Sequence, residues 1–342
     1  MTERLVSIII PCKDERDYVG KCIDSLLDND YPQKEILVVD GQSGDGTRQL
    51  LEQYQASYPQ VRLIDNPDRI TPIALNKGIE SARGDYIMIA GAHAAFPKNY
   101  IRDLLAYMER LDAAGVGGSL VTRADNTTTG TSIARVLSNR MGVGNSLFRV
   151  GIDKPVSVDT IPFGLYKKEA FEKAGNYDER LVRNQDIELS GRIKRQVGPL
   201  YLVPSVSCDY FMKGKYRQLA RSGFRNGLWN ILVVYLTRNL FSISFRHVVP
   251  LFFMLFILAN LLLGVAVSSL FFVPLAFVLL IYGALLMITA QRINDPPASL
   301  TAIIKAFILL HFSYGLGSLA GLFHIDKLLR PRRSHAQKQG RR

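Results

Sequence analysis

The sequence predicts an α/β fold: a domain of parallel βαβ units followed by C-terminal transmembrane helices. Three observations predict it. Short apolar runs alternate with amphipathic helical repeats over residues 5–90. One of these runs, residues 35–39, ends on Asp40 and opens into the glycine-rich turn Gly41-Gln42-Ser43-Gly44-Asp45-Gly46, with a helix beginning near Thr47. From about His247 to Phe323 the chain is almost wholly apolar. Ligands of open α/β sheets bind where strands reach their carboxyl edge. A carboxylate on a flexible loop at that edge suits a polar ring such as a nucleobase.

The elements follow in order. Strands are predicted at residues 5–10, 35–39, 61–64 and 86–90, and helices at 18–27, 47–58 and 71–82. In the first helix Val19, Cys22, Ile23, Leu26 and Leu27 recur at helical spacing. Such units join by right-handed crossovers, with helices on both faces of the sheet. A longer helix at 97–113 follows, and Gly115–Gly118 lead into a further strand. Residues 124–151 are rich in Asn, Thr, Gly and Ser and read as a mobile loop with a helix around 132–138. Loops of this length serve as lids or acceptor-site walls, or are disordered insertions. A strand is expected at 161–165 and a short helix at 168–174. There is no internal repeat.

Three apolar stretches close the chain, at about 248–270, 271–290 and 302–323. A spanning helix needs about 20 mostly apolar residues. The first two stretches form a tight hairpin, whereas the third carries Lys305, His311 and several glycines. The expected organisation is a domain over 1–226, an interfacial amphipathic segment over 227–246, transmembrane helices within 247–324 and a basic tail over 325–342. The N-terminus runs straight into a strand with no signal peptide, so the first domain is expected in the cytoplasm. Three crossings would then carry the basic tail (Lys327, Arg330, Arg332, Arg333, Lys338, Arg341, Arg342) outside, against the positive-inside tendency. Either the third stretch does not cross fully, or a fourth piece within 227–245 is embedded; an in-plane amphipathic helix is favoured for that piece.

The formal net charge is +12. Beside apolar segments a basic tail points to anionic lipid rather than nucleic acid, and no nucleic-acid motif is present. Cys12, Cys22 and Cys208 are odd in number and lack paired spacing, which argues against a disulfide framework and fits a reducing compartment.

The run Val6-Ser7-Ile8-Ile9-Ile10-Pro11, the acids Asp14 and Glu15 after it, and the Asp40–Thr47 turn together resemble the opening of family 2 glycosyltransferases. These use nucleotide-sugar donors on a GT-A fold, a Rossmann-like fold of nucleotide-diphospho-sugar transferases. The resemblance runs from about Val6 to Trp229. It implies that Pro11 and Glu15 belong to the first-strand motif, with the acid near the uridine. It implies that Asp40 accepts a hydrogen bond from the uracil ring N–H, which distinguishes uracil from cytosine. Asp45 falls on the second acid of the family's Asp-Gly-x-Ser-x-Asp-Gly-Thr pattern; it suits a first-turn helix stabiliser equally. Asn76-Lys77-Gly78 and Ala82-Arg83-Gly84-Asp85-Tyr86 also match, and Asp85 either faces the nucleotide or simply closes a helix–strand junction.

After the strand at 86–90 the family carries Asp-x-Asp or Asp-Ala-His, which helps to hold Mg2+ or Mn2+ on the diphosphate. Here the stretch is Ile89-Ala90-Gly91-Ala92-His93-Ala94. Gly91 stands at the first acidic position. His93 stands at the second, similar to the succinoglycan-biosynthesis ExoA type. His93 is therefore the candidate metal or diphosphate ligand, or else a polar strand end. Imidazole ligates Mn2+, although hard cations prefer oxygen, and a cation held mainly by the diphosphate needs few protein ligands. Arg183-Asn184-Gln185-Asp186-Ile187-Glu188-Leu189 matches the family's Glu/Gln-Asp-x-Glu-Leu segment. The resemblance makes Asp186 the general base for an inverting attack; the plain alternative is an exposed helix-start acid near Arg192 and Arg195. The Gln-x-x-Arg-Trp of processive members is absent, which implies single-sugar transfer.

The expected function is thus transfer of a sugar from a UDP-sugar to a lipid-linked saccharide acceptor, in exopolysaccharide or other surface-glycan biosynthesis. The expected setting is the cytoplasmic face of the cell (inner) membrane, beside other polysaccharide-assembly proteins. Two alternatives stand: a catalytically impaired nucleotide-sugar-binding partner in a membrane assembly, suggested by Gly91, and a transferase acting on bare polyprenyl phosphate.

Overall fold

The computed structural model describes residues 4–212, 214–238 and 243–323; the basic tail lies outside the described residues. The chain opens with β1 (Val6–Cys12), α1 (Val19–Leu27), β2 (Lys34–Asp40), α2 (Thr47–Ser57), β3 (Val61–Asp65), α3 (Thr71–Ser81) and β4 (Tyr86–Ile89). These strands are parallel, as the alternation of runs predicted: β1 pairs with β2 and β4, and β2 with β3. Cys12 lies opposite Asp40, and Asp40 opposite Asp65. Three strands therefore end at one level, and the loops after them share one carboxyl edge.

Beyond β4 the sheet becomes mixed. It continues with β5 (Ala94–Ala95), α4 (Tyr100–Arg110), β6 (Gly115–Ala124), α5 (Thr128–Leu137), α6 (Arg140–Val143), α7 (Leu147–Val150), β7 (Val156–Ser157), β8 (Leu165–Lys167), α8 (Glu169–Ala174), α9 (Gln185–Gln196) and β9 (Leu200–Met212). The order across the sheet is β3-β2-β1-β4-β8-β6-β9-β5, with β7 on β9. Side chains alternate between faces along each strand. Ile8 and Ile10 of β1 join Cys22, Ile23 and Leu104 beneath α1 and α4. Ile9 joins Leu75, Ile79, Phe171 and Leu189 beneath α3, α8 and α9.

Four long helices follow: α10 (Tyr216–Thr237), α11 (Val249–Ala266), α12 (Phe272–Arg292) and α13 (Leu300–Phe323). Among the described residues, three helical stretches are long and apolar enough to cross a membrane, at Phe245–Ala266, Ser269–Arg292 and Leu300–Phe323.

The structure corrects three expectations. The strand expected at 161–165 is β8, at Leu165–Lys167. Phe163 adopts φ 43°, a left-handed conformation that interrupts an extended run. Residues 124–151 are not a long loop but carry α5, α6 and α7. Ile133 and Val136 of α5 are fully buried with Ile303 and Phe307 of α13, which fixes the segment in place. Finally, residues 227–237 are not an element of their own. They continue α10, a 22-residue helix, so the boundary expected at residue 226 falls inside one packed element.

Candidate active site

The nucleotide-side residues gather on loops at the carboxyl edge. The loop after β1 is stitched to the turn after β2 by side chains acting as backbone substitutes. Ser43 Oγ accepts from the Asp14 N–H at 2.9 Å, Thr47 Oγ1 from the Glu15 N–H at 3.0 Å, and Asp45 Oδ2 from the Arg16 N–H at 3.2 Å. In return Asp14 Oδ1 accepts from the Gly44 N–H at 2.8 Å. Asp45 also accepts from the Thr47 N–H at 3.0 Å. Its oxygens thus cap the start of α2 and pin the neighbouring loop, the first-turn stabilising role. Pro11 lies near the end of β1, opposite Val39.

Asp40 is 1% exposed. A buried carboxylate persists only with partners, and Asp40 has them: Ser43 donates its hydroxyl at 2.6 Å, and Arg48 Nη1 lies 3.6 Å from Oδ2. Arg48 in turn binds Glu52 and Asp65. Asp40 therefore shapes the loop after β2 from within. Arg69, also in a left-handed conformation, is held by Gln42, whose Oε1 accepts from Nε at 2.8 Å.

Asp85 is not part of this group. It precedes β4, whose first residue Tyr86 lies opposite Val6 at the start of β1. That is the amino edge, at the far end of the strands from the loops above. Its carbonyl accepts from the Lys168 N–H at 2.9 Å, so the Gly84-Asp85 junction is structural.

The departure at Gly91 has a physical reason. A Cβ at Gly91 would lie 2.5 Å from Cε1 and 2.7 Å from Cζ of Phe163. The Phe163 ring fills the space that a side chain at position 91 would need. That ring is hemmed in by Phe96, at 5.9 Å between centroids, and by Tyr210, at 6.2 Å. His93, two residues on, sits 33% exposed with Nδ1 3.3 Å from Glu15 Oε1. Its ring meets Tyr210 edge-on at 5.1 Å. Glu15 and His93 thus form one pair from two loops. No cluster of three or more metal-binding side chains exists among the described residues.

Tyr210, on β9, continues the site toward α7 and α9. Arg149 of α7 lies 5.3 Å from its ring, and burial pushes the Arg149 guanidinium below its usual range while Tyr210 partly restores it. Arg183 lies close enough to feel Tyr210 and Asp186, and it donates to Ser222 Oγ at 2.9 Å and to Asn226, both on α10. Asp186 occupies the first turn of α9. Asp186 is exposed to solvent, although the protein around it removes part of its hydration. That desolvation raises its pKa above the usual carboxylate range. The N–H groups of Ile187 and of Asp186 itself, and then Arg183, pull the other way, while Asp159 adds to the rise. Desolvation wins over the helix N-terminus, which leaves a carboxylate poised to take a proton.

A polar chain leads from here to the apolar helices. Asn184, the N-cap of α9 at φ 60°, donates to Asn230 of α10, which donates to the Tyr314 hydroxyl of α13. Tyr314 lies 2.8 Å from Nδ1 of His247, at the root of α11. Nearby, a cavity of about 330 Å³ is lined by Asn145, Phe148, Ser157, Asp159, Phe245 and Arg246, among others. Burial works against ionisation of Asp159, but the Ser244 hydroxyl and Arg246 outweigh it and hold its pKa low.

The structure therefore brings together Pro11, Glu15, Asp40, Gly91, His93 and Asp186, assigns Asp45 to loop architecture, and places Asp85 elsewhere. Sequence reasoning missed Arg149, Asp159, Phe163, Tyr210 and Asn230 as parts of this surface. Only Phe163 carried a signal, since it adjoins the Gly164 that precedes β8.

Residues 7–175 match the family model described as Glycosyl transferase family 2. The dolichyl N-acetyl-alpha-D-glucosaminyl phosphate 3-beta-D-2,3-diacetamido-2,3-dideoxy-beta-D-glucuronosyltransferase of Methanococcus voltae is 26% identical over 277 residues, covering 75% of this chain and 85% of that protein. The succinoglycan biosynthesis protein ExoA of Rhizobium meliloti (strain 1021) is 28% identical over 215 residues, covering 61% of this chain and 63% of that relative, so less than two thirds of its length is spanned. Among solved structures, the mannosyltransferase PcManGT from Pyrobaculum calidifontis, in complex with GDP-Man and Mn2+, aligns with a TM-score of 0.64 at 17% identity. The alignment covers 94% of this chain and 88% of that one, a likeness of fold.

Proposed function

Since the chain is a family 2 glycosyltransferase with a GT-A fold, we propose that it transfers one sugar, with inversion, from a UDP-sugar to a lipid-linked saccharide at the cytoplasmic face of the inner membrane. The observation that carries this reading is Asp186: an accessible carboxylate with a raised pKa, in a row with Arg183, Tyr210 and His93, and tied through Asn184 to the root of the apolar helices. The acceptor hydroxyl oxygen attacks the anomeric carbon while Asp186 takes its proton. The bond from that carbon to the diphosphate oxygen breaks, and the nucleoside diphosphate leaves with the electron pair. General-base catalysis of this kind contributes on the order of 10²–10⁴-fold.

Arg149 and Arg183 both lie beside Tyr210, between the two halves of the site, where they would offset charge developing on the diphosphate. A divalent cation fits beside them in a limited way: His93 and Glu15 would hold it, with most of its ligands coming from the diphosphate. When bound it would neutralise the leaving group. The imidazole suits Mn2+ better than Mg2+. The Mn2+ bound with GDP-Man in the Pyrobaculum enzyme supports a cation. The dolichyl-linked substrate named for the Methanococcus relative supports a lipid-linked acceptor, as does the cavity at the root of α11. The surface-polysaccharide role named for ExoA supports exopolysaccharide or surface-glycan assembly.

The test is binding and turnover of UDP- and GDP-sugars in purified membranes, with and without Mn2+, for native protein and Asp186→Asn. Metal-stimulated turnover of a UDP-sugar, lost in the variant, is the expected result. Preference for a GDP-sugar overturns the donor assignment. Gly91 favours a second reading, a nucleotide-sugar-binding partner without activity. Binding without turnover, unchanged by Asp186→Asn, would establish it.

A further inference from the structure

We propose that α13 does not cross the membrane. It lies along the bilayer surface beside α10, only the α11–α12 hairpin enters the lipid, and the chain leaves α13 on the catalytic domain's side.

Contacts along α10 come first. A spanning helix leaves a soluble domain at one end. Here Leu219 shares a core with Ile133 and Val136 of α5, Ser222 and Asn226 bind Arg183, and Asn230 binds Asn184. The catalytic domain therefore follows α10 for ~16 Å at 1.5 Å per residue. The helix runs tangentially to that domain.

The same holds for α13. The Ser299 N–H at its start donates to Ser132 Oγ at 3.3 Å, Ile303, Phe307 and Leu310 pack with α5, and His311 Nε2 lies 2.8 Å from the Met141 carbonyl. Lys305 sits over the Tyr216 ring at 4.6 Å. At an interface its head reaches water while its stem lies along the apolar face.

The two helices run in the same direction. Tyr216 donates to the Ala302 carbonyl at 3.1 Å, Gly223 abuts Ser313, Gly227 abuts Tyr314 and Ser318, and Gly321 abuts Ile231. The end of α13 therefore lies beside the end of α10. From there the link between Arg238 and Ile243 reaches at most ~17 Å. It arrives at the catalytic domain, where Ser244 and Arg246 bind Asp159 and Arg246 donates to the Asn145 carbonyl at 3.0 Å. A chain that had crossed ~30 Å of hydrocarbon could not return over that link. So α10 ends on the catalytic side, and α13 ends with it.

The α11–α12 hairpin is more exposed than α13. Its stretches of 22 and 24 residues reach ~33 and ~36 Å. Phe252, Leu262, Val265, Val273, Phe277 and Leu280 are exposed on it, while Met254, Leu286 and Ala290 pack its root half against α13. Gly264 abuts Phe272 and Phe253 meets Tyr282, so the helices are antiparallel. Both roots stay at the domain, through Arg246 on one side and the Asp295–Arg135 pair on the other. With two crossings in place of three, the basic tail no longer opposes the positive-inside tendency.

The experiment is labelling by an impermeant maleimide in sealed vesicles of both orientations. The native cysteines are buried, so single reporters at Ser334→Cys, Glu172→Cys on the catalytic domain and Ser269→Cys at the hairpin tip can be compared. The inference expects Ser334→Cys to label in the same vesicles as Glu172→Cys, and Ser269→Cys in the opposite ones. Labelling of Ser334→Cys together with Ser269→Cys overturns it. If the cysteine variant fails to insert, protease access to a C-terminal epitope in the same vesicles decides between the same two outcomes.

Discussion

The Gly91 site gives the sharpest prediction, because the structure makes restoring the family's acid harmful. Carbon atoms pack best at about 3.5–4.0 Å, so a Cβ placed 2.5 Å from Phe163 Cε1 overlaps the ring by about 1 Å. The ring has little room to yield. Phe96 and Tyr210 flank it, Phe163 holds φ 43°, and its carbonyl accepts from the Tyr100 hydroxyl at 3.2 Å. Overpacking of this kind costs about 1–3 kcal/mol. That corresponds to about 2–4 °C of melting temperature per kcal/mol for a domain of 150–250 residues.

The assay is a four-member cycle: native, Gly91→Asp, Phe163→Ala and the double variant, each measured for melting temperature and for turnover with Mn2+. Gly91→Asp alone is expected to melt lower and to gain no turnover. The double variant is expected to be more stable than the sum of the two single losses, with a coupling of about 0.5–3 kcal/mol. Only there does the new carboxylate reach the cation. Gly91→Ala isolates the steric part, since it adds the Cβ alone. A Gly91→Asp protein with native stability and raised turnover would refute the claim that Phe163 occupies this space.

Other consequences are also measurable. Desolvation gives Asp186 a higher pKa in the fold than in the unfolded chain, so between those two values the native state binds more protons and stability falls as pH rises. Asp186→Asn should therefore melt above native protein at pH 8, with the gap closing below about pH 3.9, while turnover drops on the order of 10²–10⁴-fold; a lower-melting variant at pH 8 contradicts the assigned crowding. Asn230→Leu leaves the half-buried Asn184 without its acceptor, at about 1 kcal/mol. It should weaken turnover of a lipid acceptor and leave donor binding, followed by calorimetry, unchanged. Gly227→Val places a Cβ 2.0 Å from the Tyr314 carbonyl, whereas a Cβ at Gly283 meets nothing within 4 Å; the first variant should melt lower than Gly283→Val, and equal melting would count against close α10–α13 packing.

The parallel half of the sheet was legible because its strands are apolar runs separated by helices with a clear 3.6-residue repeat, as in Val19, Cys22, Ile23 and Leu26, all fully buried. What followed was harder for physical reasons. Polar residues dominate residues 124–151, so the buried face made by Ile133 and Val136 is outvoted in composition although it fixes α5 against α13. Nothing in the residue type of Phe163 announces a positive φ, so the run at 161–165 reads as a strand. Asp85 shows the limit of matching motifs. It sits in a matching stretch, yet it precedes its strand, and only residues that follow a parallel strand reach the ligand edge.

The two halves of the site differ in the same way. The donor half is built from loops of successive βα units, so Glu15, Asp40 and Asp45 lie close together in sequence and read as a pattern. The half proposed to face the acceptor is assembled from α7, α9, β9, α10 and α13, whose contributors Arg149, Asp186, Tyr210, Asn230 and Tyr314 are spread over much of the chain. No local pattern records such a set. The acceptor half is also the half joined to the apolar helices, through Asn184, Asn230 and Tyr314. If the acceptor is held by lipid, the base must be positioned relative to the membrane rather than to the nucleotide loops. A helix such as α10, fixed to Arg183 and Asn184 on one side and to α13 along its length, provides that reference. Movement of the bilayer surface against the catalytic domain would then move Asp186's neighbours before it moved the donor site, so membrane composition should alter acceptor turnover more than donor affinity.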